Sequence, residues 1–222
     1  MQERMIKALQ KLNIGLFVID EAHCISKWGP DFRPQYSELS QLKNHFPNAT
    51  IAAFTATADR ATREDIVNQL SDKGFKTIVK GFDRPNLSLN VAEKSDIKNA
   101  LASILLSKKG QSGIIYCLSR NEVDTTALFL KEKGFNAIPY HAGKSTQDRK
   151  KAQNRFMTES ATIMVATIAF GMGVDKPDIR FVIHASLPGS IEAFYQEIGR
   201  AGRDGEPSET NMFYGLQDLI KR

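Results

Sequence analysis

Ile14-Gly15-Leu16-Phe17-Val18-Ile19-Asp20-Glu21-Ala22-His23 joins a short apolar run to two adjacent acids. A run this short, apolar and β-branched predicts a strand buried on both faces of a parallel sheet. Two carboxylates at the end of such a strand are costly to place unless they meet a cation or a reacting water. Ligands of open α/β sheets bind at the carboxyl ends of strands. Position and residue type therefore point to a magnesium–nucleotide site, against the alternative of acids in a solvated strand-to-helix turn.

Working outward, strand-like and helical runs alternate along the whole chain, which predicts α/β architecture with parallel sheets. A first set comprises a helix over 2–12, strands at 14–19, 51–54 and 77–79, and a helix over 60–70 capped by Asp59. Turn residues cluster at 81–86, the best candidate for a linker. A second set comprises strands at 113–117, 137–140, 162–166 and 180–184. Its helices are expected over 121–133, 146–157 and 190–201, the last capped by Ser190. No internal repeat or low-complexity tract is present.

The 222 residues carry a net charge of +5 and are 41% hydrophobic, enough apolar material for one large or two modest cores. Mild basicity spread along the chain suits a nucleic-acid surface without establishing one. Cys24 and Cys117 are the two cysteines and form no CxxC pair, so neither a zinc site nor a disulfide framework is expected. No apolar run approaches the ~20 residues of a membrane span and no signal-peptide pattern opens the chain. A cytoplasmic protein with no membrane partner is expected.

A nucleotide site should include a GxxxxGK[ST] phosphate loop. The one GK[ST] is Gly143-Lys144-Ser145, but Ile138 stands where the first glycine is required. Ser145 or Thr146 is better read as a helix cap with Asp148 in the first turn. The lysine cradle is missing from these residues.

Four other stretches carry chemistry. Cys24 to Tyr36 holds Trp28, Phe32 and Arg33 on a segment stiffened by Pro and Gly, suited to stacking on unpaired bases and contacting phosphates, or to plugging a local core. Thr55 and Thr57 flank Ala56 where a strand ends, within reach of a hydrogen bond to His23. Thr167 and two glycines, Gly171 and Gly173, follow the strand at 162–166, where backbone N–H groups can approach a phosphate. There Asp175 is placed either to accept from a ribose hydroxyl or to shape a turn. Finally, Gln196, Arg200 and Arg203 fall on one face if their segment is helical. Gly199 and Gly202 each cost about 1 kcal/mol in a helix, so close approach to a partner is their expected reason. Arginines on such a surface suit charge stabilisation in phosphoryl transfer, the alternative being a basic helix end with a glycine stop.

In this order the stretches resemble the superfamily 2 helicases, and specifically the RecQ family of DNA helicases. Residues 20–34 look like motif II and its aromatic-rich loop, and 55–57 like motif III. Residues 113–120 are similar to motif IV, 165–177 to motif V and 196–205 to motif VI. The resemblance covers essentially the whole chain. It implies two RecA-like parallel-sheet lobes with ATP and Mg²⁺ in the cleft between them. Asp20 would hold Mg²⁺ and Glu21 would polarise the attacking water. His23, Thr55 and Thr57 would couple nucleotide state to DNA, with Trp28, Phe32 and Arg33 sensing single strands. Ser119, Arg120 and Thr167 would lie along the DNA backbone. Arg200 and Arg203 would act as arginine fingers, with Asp175 and Gln196 contacting the nucleotide. The implied activity is 3′→5′ unwinding of duplex DNA coupled to ATP hydrolysis, in recombination and repair.

Family members carry a phosphate loop before the acids, and a four-cysteine zinc subdomain and winged helix after lobe two. The expectation is therefore a partial chain: 1–82 the back half of a truncated lobe one, 83–86 a linker, and 87–218 a nearly complete lobe two. Alone, it is expected to be inactive and to expose sheet surface. The alternatives are a non-catalytic DNA-binding or interaction module and an RNA helicase, the latter disfavoured by the aromatic-rich loop.

Overall fold

The computed structural model describes residues 3–27, 32–72, 74–81, 83–171, 174–215 and 218. The chain divides into two compact units, Met1–Gly81 and Phe82–Arg222.

In the first unit, α1 (Glu3–Leu9) precedes β1 (Leu16–Ile19), which pairs in parallel with β2 (Thr50–Ala53). A 3₁₀ turn at Ala22–Ile25 and the short helices α2 (Pro34–Ser37) and α3 (Leu42–His45) lie between the two strands in sequence. After them comes α4 (Arg60–Leu70), capped by the Asp59 carboxylate, which accepts from the Thr62 N–H at 2.8 Å. The core of the unit is Ile19, Ala22, Ile25, Leu42, Ile66 and Leu70.

Two expectations are corrected here. β1 is not buried on both faces: Leu16 is 53% and Val18 61% exposed, because the core covers only the face carrying Phe17 and Ile19. Nor is 77–79 a strand: Ile78 and Val79 are exposed and no strand pairs with them among the described residues. An apolar triplet has strand propensity, but without a ladder partner its N–H and C=O groups are left to solvent.

The second unit contains β3 (Leu87–Glu93), α5 (Ile97–Leu106), β4 (Ser112–Tyr116), α6 (Arg120–Glu132) and β5 (Asn136–Tyr140). It continues with α7 (Thr146–Thr158), β6 (Thr162–Ala166), β7 (Ile179–His184), α8 (Ile191–Ile198) and β8 (Ser208–Tyr214). Its six strands form one parallel sheet in the order β3-β8-β7-β4-β6-β5. The strand alternation separates two cores. Ile115 and Cys117 point with Ile163, Val165, Phe181 and Ile183 toward α5 and α6. Ile114 and Tyr116 point with Met164, Ala166 and Val182 toward α7 and α8. Ser119, Ser145 and Ser190 cap α6, α7 and α8, each accepting from a backbone N–H at 3.1 Å.

The helix expected over 190–201 ends at Ile198, with Gly199 as its C-terminal cap. β3, α5 and β8 escape the sequence pattern. Ser208-Glu209-Thr210-Asn211 is polar, and its burial comes from pairing β8 between β3 and β7 rather than from apolar content.

Gly113 opposes Phe181 across β4 and β7, and a Cβ there would overlap the fully buried Phe181 ring. Gly113→Ala is predicted to destabilise the fold by about 1–3 kcal/mol, the usual cost of overpacking. Adding Phe181→Leu should recover part of the loss in denaturant titration. Strict additivity of the two changes would count against this contact.

Candidate functional site

The acids follow β1 directly, and their turn is strained. Glu21 adopts φ 50°, ψ 44°, the left-handed region that costs a non-glycine residue about 1–3 kcal/mol. Three contacts hold it. Asp20 Oδ1 accepts from the Glu21 N–H at 2.9 Å, and Ala22 N–H donates to Phe54 C=O at 2.9 Å, tying the turn to the end of β2. His23 Nδ1 lies 3.4 Å from the Glu21 carboxylate and 2.9 Å from Thr55 Oγ1. Thr57 N–H donates to Thr55 Oγ1 at 3.3 Å, so the acidic turn, His23 and both threonines form one connected group. Asp20 is exposed and His23 is buried.

Arg33 N–H donates to Cys24 C=O at 3.0 Å, and its exposed guanidinium lies 6.0 Å from the Tyr36 ring centre. Phe32 is half-buried. Trp28 and Gly173 lie outside the described residues.

In the second unit, Tyr116 is the centre of a cluster that the sequence reading passed over. Its hydroxyl donates to Phe170 C=O at 3.1 Å and accepts from Arg200 Nε at 3.1 Å. Arg200 also donates to Gly171 C=O at 2.5 Å. The Tyr116 ring stacks on His184 at 5.4 Å, and His184 Nε2 lies 2.6 Å from the buried Glu197 carboxylate. Burial, with the Glu197 carboxylate nearby, pushes the Tyr116 phenol well above its ordinary range despite the Arg200 guanidinium. A buried tyrosine or histidine in an otherwise apolar strand demands partners, and that was the missed signal.

Arg203 pairs with Asp175 at 2.5 Å on the surface. Gln196 is half-buried in the last turn of α8, but Arg200 and Arg203 lie beyond the helix, so the shared helical face is not formed. The glycines are also explained within the chain. Gly199 ends α8, while Gly202 at φ +57° packs against Asn86, whose side-chain amide donates to Gly202 C=O at 2.9 Å. Arg84 donates to the same carbonyl at 2.8 Å. Ser119 and Arg120 are exposed at the start of α6, and Thr167 is half-buried just after β6.

Lys144 reaches Asp124 at 2.8 Å, beside His141, whose Nε2 lies 3.1 Å from the same carboxylate. Gly143 N–H donates to His141 Nδ1 at 3.1 Å, which leaves Nε2 as the protonated nitrogen when the ring is neutral.

Two family profiles match the chain: "DEAD/DEAH box helicase" over residues 1–66 and "Helicase conserved C-terminal domain" over 96–205. An ATP-dependent DNA helicase RecQ of Pasteurella multocida is 49% identical over 205 residues, covering 92% of this chain and 32% of that protein. The RecQ-like DNA helicase BLM of Xenopus laevis is 45% identical over 226 residues, covering 98% of this chain and 17% of that protein. The chain belongs to the RecQ helicase family. It spans about a third of the length of its bacterial RecQ relatives. Among solved structures, S. cerevisiae Dbp5 bound to RNA and ADP BeF3 matches with TM-score 0.69 at 19% identity, over 97% of this chain and 59% of that one. Mycobacterium smegmatis Lhr bound to ssDNA and AMP-PNP matches with TM-score 0.68 at 20% identity, over 97% and 31%. These two share the fold, that of RecA-like helicase domains. Among the described residues, no helix is long and apolar enough to cross a membrane.

The Lys144 ammonium, with His141 assisting, holds the Asp124 carboxyl below its ordinary range. A depressed carboxylate stabilises the fold above its unfolded pKa of about 3.9, and that contribution is lost as pH falls through the folded value. Lys144→Ala is therefore predicted to move the Asp124 midpoint upward in a carbon-detected NMR titration. An unmoved midpoint would refute the Lys144–Asp124 contact.

Proposed function

We propose that the chain contributes ATPase and DNA-contacting residues to a RecQ-type helicase that unwinds DNA with 3′→5′ polarity. The observation that carries this is the strained acidic turn: a left-handed Glu21 after β1, joined through His23 to Thr55. Strain of this kind persists only where the surroundings over-determine it, and it clusters at functional sites.

In this reading Asp20 holds Mg²⁺. The ion is usually held by one or two carboxylates, with substrate phosphates and water completing its shell, and an exposed Asp20 at a strand end fits that donor set. Among the described residues no cluster of three or more His, Cys, Asp or Glu forms a closed metal cage. Magnesium supplies charge neutralisation on the phosphates when bound. Glu21 orients the attacking water and accepts its proton. His23, Thr55 and Thr57 transmit nucleotide state through their hydrogen-bonded chain.

Arg200 and Arg203 are proposed to contact phosphoryl oxygens, with Asp175 and Gln196 as nucleotide contacts. Single-stranded and duplex DNA are the proposed polymers. Phe32, Arg33 and Trp28 suit base stacking and phosphate contact, and Ser119, Arg120 and Thr167 suit the backbone. Residues 1–82 and 87–218 are proposed as parts of the first and second lobes, joined at 83–86, in a protein working in cytoplasm or nucleus.

The test joins these 222 residues behind a segment bearing a GxxxxGK[ST] phosphate loop. Single-stranded DNA should then stimulate ATP turnover, whereas the chain alone should show none. Glu21→Gln should lower kcat by about 10²–10⁴-fold. Arg200→Ala should lower it by about 10³–10⁵-fold. Turnover indifferent to Glu21→Gln would overturn the reading. A well-folded joined protein that binds DNA without hydrolysing ATP would favour a non-catalytic module instead.

A further inference from the structure

Arg200 is held on two sides by groups that carry no charge. The Tyr116 hydroxyl has its proton committed to Phe170 C=O and its lone pair to Arg200 Nε, both at 3.1 Å. The next carbonyl along the chain, that of Gly171, accepts from a terminal nitrogen of Arg200 at 2.5 Å. Two consecutive backbone carbonyls therefore set the geometry, one through Tyr116 and one directly.

Tyr116 cannot drift. Its ring is buried in the core beneath α7 and α8 and stacks on His184 at 5.4 Å with 20° between the planes. His184 is held in turn by Glu197 at 2.6 Å. The 170–171 carbonyls are equally fixed, because the Phe170 ring packs edge-on against Phe156 at 5.5 Å and Tyr140 at 4.9 Å. Gly171 also has a steric role. A Cβ there would stand 2.7 Å from the other terminal nitrogen of Arg200, the end of a flexible side chain, so a larger residue would push the guanidinium off this backbone.

We propose that Tyr116 and Gly171 are positioning residues for Arg200, fixing its guanidinium in one pose before any nucleotide arrives. The proposal rests on the reading of Arg200 as a phosphoryl-contacting arginine. A guanidinium has five N–H donors, and these contacts engage two of them. Both partners are neutral, so the positive charge is left uncompensated by them and available to an anion. A preorganised donor of this kind costs little reorganisation during reaction, whereas a misplacement of about 1 Å can cost about 10²-fold in rate.

The first test uses the 222-residue chain and NMR of arginine Nε–H groups, with the Arg200 signal assigned by its loss in Arg200→Lys. Tyr116→Phe should accelerate Arg200 Nε–H exchange with water at least about tenfold, since exchange reports local hydrogen-bond opening. Gly171→Ala should shift the same signal by displacing a flexible side-chain end, and it decides the matter if Tyr116→Phe fails to fold. An Arg200 signal unmoved in every folded variant would overturn the proposal.

The second test uses the joined protein. Tyr116→Phe should lower kcat about 10²-fold with KM nearly unchanged, the mark of a contact felt in the transition state. It should add nothing in an Arg200→Ala background. Full activity in Arg200→Ala would sink the reading of Arg200 itself. Full activity in Tyr116→Phe, with Arg200→Ala inert, would sink only the positioning role.

Discussion

In the second unit the central parallel strands are covered on both faces, and that constraint centres on β4. Its residues are buried from Ser112 to Tyr116, with odd and even positions feeding separate cores. Gly113 supplies the room for Phe181, so the strand beside it can carry a full aromatic ring without splaying the sheet. Once β4 is fixed between β7 and β6, the ends of all three strands are fixed too. Tyr116, His184 and the Thr167–Gly171 turn all stand at those ends. The positions of these side chains follow from the packing.

The first unit solves a different problem. Its sheet has two strands among the described residues and one covered face, so little packing supports the acidic turn from the side of Leu16 and Val18. Hydrogen bonds compensate. The left-handed Glu21 is locked by Asp20 before it and by the Ala22–Phe54 bond after it, while His23 is buried beneath. Such a turn presents two carboxylates in fixed directions without relying on side-chain packing around them. That is how an exposed metal-ligand candidate can be both solvated and rigid.

Much of this was legible from residue order. The strands over 113–117, 137–140, 162–166 and 180–184 announce themselves because their runs are short and almost wholly apolar, as strands buried on both faces usually are. The caps at Asp59, Ser145 and Ser190 are equally visible, since a helix start needs a side-chain acceptor. The His23–Thr55 bond could be anticipated because both residues lie just beyond the ends of neighbouring strands. What could not be read was anything decided by a partner distant in sequence. β8 opens with polar residues and is buried because β3 and β7 flank it, whereas Ile78 and Val79 are apolar but pair with no strand among the described residues. Gly199 and Gly202 invite a reading as contacts to a partner, but the approach they permit is to a turn and to Asn86. Helical spacing placed Gln196, Arg200 and Arg203 on one face, whereas a glycine cap ended the helix before the arginines.

The two arginines differ in a way that bears on how they act. Arg203 faces Asp175, a carboxylate that is largely exposed, and an exposed ion pair is worth only about 0–1 kcal/mol. A phosphate can displace that carboxylate at small cost, so, on the proposed reading, Arg203 is suited to exchanging one anion for another. Arg200 has no such exchange to make with Tyr116 and Gly171, since a hydroxyl and a carbonyl orient the guanidinium while leaving its charge intact. The same short segment therefore carries one arginine paired with an exposed carboxylate and one oriented by neutral groups alone. Substituting both for lysine would not treat them alike. Lysine can still pair with Asp175, but an ammonium cannot reproduce the planar fork that engages Tyr116 and Gly171 together.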